Sequence, residues 1–414
     1  MIASRRGARG FTLAELMVAV TGGLFISIAV FSLARFGSRF YQQETRVANA
    51  TLGALVGFER LKSDVARAGF LGSPNIARDP ALCGSVTDAA ANWPTELAHL
   101  AAIRIETDHL KAHPVLDTAV NGNIQPDAIT LAGSYDSGDE FPIRMVAEAG
   151  SGYDVYLQVL SGPMARLGPE NLARVFKAGR GMRIVDSSGK HQYGTIAATS
   201  YNGGQPIVSL TQAPRLIVRA DSSATQCGFK GFETGGLASV VNFVRYELRD
   251  VSSDAAHAAL FADSAAEVMA DDTRVELVRV ELDTAGDEID GSLELVAELA
   301  VDLSFGVTAS TVGLGDGHQV LEVAEPNDAQ VVAIAGDTQG TSARPQHVRS
   351  VRARLSVRSR EGDRSANITP SATIAPGLYR LALNPAADAA ERRYARVRTV
   401  QADIALTNQL GVTW

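Results

Sequence analysis

The sequence predicts an α+β protein in which a long N-terminal α-helix, membrane-spanning in its first half, packs on a large, mostly antiparallel β-rich globular head. Three observations lead to this fold class. An apolar run covers residues 11–34, a helical stripe continues from it, and short β-branched runs separated by turn residues fill most of the remaining chain. Consecutive strands with Gly, Asp, Asn and Ser links favour antiparallel pairing over βαβ units.

The apolar run, residues 11–34, contains a single charged residue, Glu15. At 1.5 Å per residue a helix of this length spans roughly 36 Å, which is enough to cross a bilayer. A carboxylate inside a membrane segment is costly and is read as functional. No second apolar run approaches 18 residues, so we expect a single-pass anchor and an otherwise soluble chain. Three arginines before the run favour a cytoplasmic N-terminus, although Arg35 and Arg39 weaken that asymmetry.

The helix continues beyond the apolar run as an amphipathic half, residues 35–69. Apolar residues recur there at steps of three and four, which is the spacing of one helix face. The stripe consists of Leu52, Leu55, Phe58, Leu61, Val65 and Ala68. Gly69 and Gly72 end the helix, and Pro74 prevents its resumption. We expect the stripe to lie on the globular part.

Residues 70–414 are predicted to form the β-rich head, in which 74–240 is an elaborated insertion or a subdomain of its own. The head begins with a proline-rich, loop-like segment to about residue 127. A short helix is expected near 255–270, with turns or loops at 283–291 and 308–317. Candidate strands are 128–131, 153–160, 181–185, 206–210, 215–219, 239–248, 274–282, 293–307, 348–357, 378–383 and 394–406.

The chain contains two cysteines, Cys83 and Cys227. In an oxidising compartment an isolated pair is expected to form a disulfide. That bond would close a loop of about 145 residues, worth on the order of 5 kcal/mol in the chain-entropy model. Two unpaired thiols are the alternative. No spacing of Cys or His suggests zinc, and we expect no cofactor or metal.

The stretch Arg9-Gly10-Phe11-Thr12-Leu13-Ala14-Glu15-Leu16 resembles the class III leader of type IV prepilins and pseudopilins. An ordinary signal peptide is cut after its apolar core, whereas Gly10 precedes the core here. The resemblance implies that a prepilin peptidase removes residues 1–10 and N-methylates Phe11. It also implies that Glu15 pairs with the terminal amine of a neighbouring subunit. A plain signal anchor with a stray Glu is the alternative.

Four further stretches, 58–72, 295–307, 348–359 and 391–408, resemble PilW-type minor pilins. Where that family usually has a Cys after its helix exit, this chain has Ser73, and the nearest cysteine is Cys83. The resemblance implies a non-enzymatic minor pilin in the inner membrane, with its head in the periplasm and later at the pilus tip. It would prime type IV pilus assembly with other minor pilins, the major pilin and a tip adhesin. The alternatives are a J-type pseudopilin of type II secretion and an anchored periplasmic adhesin.

Other chemistry is weakly supported. The net charge of −8 does not favour nucleic-acid binding. The sequence has no complete phosphate-loop or nucleophile motif of the kind that would indicate an enzyme. His109 and His113, beside Asp108, could share a metal on a helix, but Pro114 favours two surface histidines in a loop. The acidic loop, 283–290, indicates either calcium or a solvated turn.

The arginines of the C-terminal strands are the one cationic concentration in the chain. They fit DNA capture less well than a solvated sheet face or a subunit contact, since Tyr394 is the one aromatic residue among them. The set consists of Arg349, Arg352, Arg354, Arg358, Arg360, Arg392, Arg393, Arg396 and Arg398.

Overall fold

The computed structural model describes residues 12–218, 227–229, 235–250, 253–254, 256–257, 260, 273–312, 318–323, 328–337, 342–360, 362, 379–412 and 414. The chain divides into two compact units, Met1–Asn49 and Ala50–Trp414. Helix α1, Leu13–Arg67, supplies all the described secondary structure of the first unit and the opening element of the second. We refer to the second unit as the head.

The described residues of the head contain four more α-helices and fifteen strands. The helices are α2 Thr95–Ala98, α3 Gly162–Leu167, α4 Leu172–Val175 and α5 Asp328–Ala335. Single 3₁₀ turns cover Ile76–Arg78, Ala89–Ala91, Ala119–Asn121, Pro169–Asn171, Pro345–His347 and Thr407–Gln409. The strands are β1 Ile103–Glu106, β2 Ala128–Gly133, β3 Phe141–Ala149, β4 Gly152–Leu157, β5 Gly181–Val185, β6 His191–Asn202, β7 Gln205–Thr211, β8 Leu237–Asp250, β9 Val275–Leu282, β10 Glu294–Ala297, β11 Ala300–Val312, β12 His318–Val323, β13 Val348–Arg358, β14 Arg380–Ala382 and β15 Tyr394–Ala405.

Six strands close into an antiparallel barrel in the order β3, β4, β7, β6, β5 and the first part of β8. The ring closes at β8, where Ala238 pairs with Phe141 on one side and with Ile184 on the other. Its apolar cluster is separate from the main core and includes Val155 and Phe176. Closure of a barrel removes edge strands, so this part of the insertion satisfies its own backbone hydrogen bonds.

The second part of β8 leaves the barrel and joins an open antiparallel sheet of order β1-β2-β8-β9-β10. A further antiparallel sheet has the order β12-β11-β13-β15-β14. The main apolar cluster of the head draws side chains from both sheets and from α1. The long strand β8 therefore connects the barrel to the main core.

Helix α1 contributes one face to the main core of the head. Ala54, Phe58, Leu61, Val65 and Ala68 are all buried in the cluster. Their steps of three and four residues are those of a single helix face. The C-terminal part of the predicted stripe is therefore present, and α1 ends at Arg67, two residues before the predicted end at residue 69.

The prediction is wrong for the first two residues of the stripe. Leu52 and Leu55 do not lie on the head, since they are 63% and 46% exposed. The helix approaches the sheets through Ala54 and Gly57 instead. A Cβ atom added at Gly57 would lie 2.5 Å from the carbonyl oxygen of Val296 in β10. Only glycine permits so close an approach between helix and strand main chains. At this end of the contact, the small residues Ala54 and Gly57 face the sheets, and Leu52 and Leu55 do not.

Most predicted strands are present, but three differences have clear physical causes. The predicted strand 293–307 is two strands, because Leu299 adopts a φ of 55° and takes the chain from one sheet to the other. The predicted loop 308–317 begins as strand, since β11 continues to Val312 in pairing with β12. In the predicted strand 215–219, Val218 makes only an isolated bridge with Phe229.

Four strands were not predicted, β1, β3, β6 and β12. Strand β6 mixes Tyr, Thr and Ile with Gly194, Ala197 and Ala198, and it pairs with β5 and β7 on either side. Strand β1 lies in the segment predicted to be loop. The predicted helix near 255–270 falls almost wholly outside the described residues.

Candidate functional site

The start of α1 carries the residues with the most specific sequence signal. Gly10 and Phe11 lie outside the described residues, which begin at Thr12. Glu15 is exposed in the first turn of α1. Its Oε2 accepts hydrogen bonds from the main-chain N–H of Thr12 at 2.9 Å and from the Thr12 hydroxyl at 3.0 Å. The N–H of Glu15 donates in return to Thr12 Oγ1 at 3.3 Å.

This arrangement is a reciprocal capping box, in which Thr12 is the N-cap and Glu15 is the third helical residue. The sequence contained its signal, a Thr followed three residues later by Glu before an apolar run, but sequence analysis assigned Glu15 an assembly role alone. The hydrogen bonds described for this carboxylate go to Oε2.

The apolar surface of α1 is exposed in both units. Leu13–Ser38 is long and apolar enough to cross a membrane, and its side chains are uncovered. In the head, Leu52, Leu55 and Val56 are exposed at positions three and four apart, which places them together on one side of the helix. We call these three residues the outer stripe.

Asp64 attaches α1 to the open sheet of the head. Its side chain is 2% exposed, and its Oδ2 accepts hydrogen bonds from Arg279 Nε and from the Tyr246 hydroxyl, both at 2.8 Å. The main-chain oxygen of Asp64 accepts from the Tyr135 hydroxyl at 3.1 Å. Burial, and then the charge of Asp64, raises the pKa of Tyr246. Asp64 lies on the apolar side of an amphipathic helix, and a carboxylate in that position indicates a buried polar contact. Sequence analysis missed this signal.

The exit of α1 is fixed by main-chain contacts. Gly69 has a φ of 76°, and its N–H donates to the carbonyl oxygen of Ala132 in β2 at 2.8 Å. Arg67 Nη2 donates to the carbonyl oxygen of Ser134 at 2.9 Å, and Asn408 Nδ2 donates to that of Ala68 at 3.1 Å. The stretch 58–72 therefore works as the attachment of the helix to the head.

Cys83 and Cys227 form a disulfide, with their Cα atoms 5.6 Å apart. The N–H of Cys83 donates to the carbonyl oxygen of His191 at the start of β6. Cys227 lies two residues before Phe229, whose side chain is buried in the barrel cluster. The bond thus ties the segment that follows α1 to the side of the barrel.

Comparison with protein-family models, with curated proteins and with solved structures finds no match for this chain. The resemblance to pilins therefore stays a prediction that rests on the residues quoted above.

The two histidines of the considered metal site have different surroundings. His113 is not a surface residue: it is 3% exposed, and its Nδ1 accepts hydrogen bonds from the N–H groups of Val115 and Leu116. His109 is half-buried between Glu106 and Glu247, at 3.2 and 3.1 Å. The hydrogen bonds that the His109 ring donates, first to Glu106 and then to Glu247, raise its pKa to about 9. Within the described residues no group of three or more His, Cys, Asp and Glu could hold a metal ion.

The acidic loop uses two of its four carboxylates in the fold. Asp283 Oδ1 accepts from three main-chain N–H groups, those of Ala285, Gly286 and Asp287, at 2.8 to 3.0 Å. Glu288 pairs with Arg249 of β8. These contacts describe a turn that is closed by its own side chains.

The C-terminal arginines are largely engaged in structure. Arg358 is buried, contrary to the expectation of a solvated face, and its Nη2 donates to the main-chain oxygen and hydroxyl of Thr273 at 3.0 and 2.9 Å. Arg349 Nη2 donates to the carbonyl oxygen of Val412 at 2.8 Å. Arg352 pairs with Asp403 at 2.9 Å. These arginines are therefore held by contacts within the head, and Arg352 is paired with a carboxylate.

Proposed function

We propose that this chain is a non-enzymatic minor pilin of PilW type, which primes type IV pilus assembly and lies in a tip complex with other minor pilins. The observation that carries the proposal is the exposed apolar surface of one helix. That surface includes a membrane-length segment, Leu13–Ser38, and the outer stripe, which belongs to the head.

A plain membrane anchor needs only the first of these surfaces. The outer stripe places three large apolar side chains in water on a helix whose other face is already packed. Exposed apolar groups of this kind mark contacts with partners. Helices pack by fitting such rows of side chains into one another. The helices of other pilin subunits are the partners that fit a helix with both surfaces.

The start of α1 fits the same role. After cleavage at Gly10 by the prepilin peptidase, Phe11 would carry the N-methylated amine, and Glu15 would face the amine of a neighbouring subunit. The head would lie in the periplasm before assembly, with α1 in the inner membrane. The major pilin, other minor pilins and a tip adhesin would be its partners.

The proposal is tested by two measurements, one of N-terminal cleavage and one of binding to other minor pilins. Mass spectrometry of the membrane-extracted protein should show a chain that begins at N-methyl-Phe11. Co-purification should recover other minor pilins, and the double variant Leu52→Ser, Val56→Ser should lose them. The matched control is the double variant Glu59→Ser, Lys62→Ser, on the same helix and also exposed. An intact leader in cells with active peptidase would refute the proposal.

An adhesin role is the second candidate, and one feature of the barrel favours it. Leu160, which follows β4, is 99% exposed. Val159 beside it is 37% exposed as well, and adjacent exposed apolar side chains fit a binding surface better than a single one does. Leu160→Ser should then reduce surface attachment while piliation stays normal. A deletion strain that is piliated but fails to secrete would indicate the J-type pseudopilin instead.

A further inference from the structure

The connection between the two sheets of the head consists of two residues, Glu298 and Leu299, between β10 and β11. Leu299 adopts a φ of 55°, a region that residues other than glycine seldom occupy. Two hydrogen bonds hold it there. Its N–H donates to Glu276 Oε2 of β9 at 2.6 Å, and its carbonyl oxygen accepts from the N–H of Arg358 in β13 at 2.9 Å.

Glu276 is fully buried, and both of its carboxylate oxygens have donors. Oε2 accepts from Leu299, and Oε1 accepts from Arg274 Nε. An ionised carboxylate only accepts hydrogen bonds, so it satisfies both donors at once. A protonated carboxyl either turns its O–H toward one donor or keeps a neutral hydrogen bond of roughly half the strength. In each case Leu299 is held less tightly.

Charged groups approach Glu276 from several elements. Arg274 belongs to the chain entering β9, and Glu298 belongs to the connection. Arg249 lies directly opposite on β8 and pairs with Glu247 and Glu288. On β13, the guanidinium of Arg358 is bound to Thr273. Burial raises the pKa of Glu276 to about 7 against the opposing effect of Arg274.

We propose that Glu276 is a pH-sensitive latch on the connection between the two sheets. The latch holds Leu299 when the carboxyl is ionised and loosens when the carboxyl binds a proton. The proposal is independent of any role in a pilus. The N–H of Leu299 lowers the pKa of Glu276, so breaking that one hydrogen bond while Glu276 stays buried raises the pKa further, and acidification therefore favours the open form.

Hydrogen exchange of the full-length protein in detergent tests the latch. Protection of the peptide that contains Leu299 is measured from pH 5.5 to 8.5 and corrected for the intrinsic pH dependence of exchange. We expect protection to fall at least about tenfold on the acid side, which is the effect of losing a hydrogen bond to a charged group. The midpoint should lie about one unit or less from pH 7.

Two variants complete the test. Glu276→Gln cannot titrate, so its protection should show no step over the same range. Glu298→Gln changes the exposed neighbour in the connection and should keep the step. A native protein without a step, or a step that persists in Glu276→Gln, would overturn the proposal. If Glu276→Gln does not fold, the native profile and Glu298→Gln decide between the two outcomes.

Discussion

Arg279 Nε of β9 lies 2.8 Å from the Asp64 carboxylate of α1, and both side chains are largely removed from water. The pair joins residues 215 positions apart in the chain. With the hydroxyl of Tyr246 on the same oxygen, it gives a buried charge both a counter-charge and a neutral donor. The helix is thereby attached to the sheet by a contact whose geometry is directional, in addition to its apolar face.

Removing the carboxylate of Asp64 should destabilise the head. Asp64→Ala removes the nearer carboxylate from the largely buried Arg279 guanidinium and leaves it the half-exposed Glu294, 3.7 Å away. The cost should therefore be at most about 3–5 kcal/mol, the value found when a buried pair is broken. Denaturant unfolding of the detergent-solubilised protein measures it. Ser63→Ala, an exposed neighbour on the same turn, should change stability by less than about 0.5 kcal/mol. Equal effects in both variants would contradict a specific role for the pair.

Two glycines of α1 should respond in opposite directions to the same substitution. Gly57→Ala brings a methyl group against the Val296 carbonyl oxygen and should cost about 1–3 kcal/mol. Gly53 has nothing within 4 Å of an added Cβ, so Gly53→Ala should stabilise the helix by up to about 1 kcal/mol. Thermal and denaturant unfolding compare the two. A neutral Gly57→Ala would mean that the helix does not approach β10 this closely.

Because of His109, the free energy of unfolding of the head should decrease as the pH rises into the alkaline range. Its folded pKa of about 9 exceeds the ordinary value of 6.5, because Glu106 and Glu247 favour its charged form. The contribution is present in full below pH 6.5 and is lost as the pH rises through 9. Its size is on the order of 3 kcal/mol.

The measurement is the free energy of unfolding of the native protein and of His109→Gln at pH 6 and pH 10. The native protein should lose stability over this range by a larger amount than the variant. Lys111→Gln, at an exposed position in the same loop, serves as the control and should follow the native protein. Parallel curves for native and His109→Gln would exclude the pairing.

Variants at Thr12 and Glu15 separate capping from assembly. Under the proposed pilin role, Glu15→Ala should leave export and cleavage intact and should weaken co-purification with minor pilins. Thr12→Val removes the hydroxyl but keeps the main-chain hydrogen bond to Glu15, so most co-purification should remain. Thr21→Val is the matched control, since that hydroxyl binds only the carbonyl oxygens of Met17 and Val18. Equal losses at Thr12 and Glu15 would assign the effect to the helix cap.

The disulfide between Cys83 and Cys227 should stabilise the head. Thiol labelling without reduction should find neither Cys83 nor Cys227 free. Cys83→Ser and Cys227→Ser should each lower stability by a similar amount, up to about 5 kcal/mol for a loop of this length. The double variant should cost no more than either single change. A cost that adds in the double variant would show that the two sulfur atoms act separately.

Secondary structure was predictable where the signal is local. The β-branched and apolar residues of β5 and β9 predicted both strands closely, because composition and length there are those of a strand. Strand β6 escaped prediction although it contains Tyr, Thr and Ile, because Gly194, Ala197 and Ala198 interrupt its β-branched and aromatic residues. The break at Leu299 escaped as well, since no glycine or proline marks that positive φ.

Local patterns suffice for the anchor-length apolar segment, for the extent of α1 and for the cysteine pair, because hydrophobicity, helical period and residue count are properties of the chain itself. The tertiary structure alone decides that Gly57 and not Leu55 faces the sheets, that Asp64 meets Arg279, and that β8 closes a barrel before it enters the main core. Each of these depends on the distance between main chains far apart in sequence. Packing determines that distance, and no run of neighbouring residues encodes it.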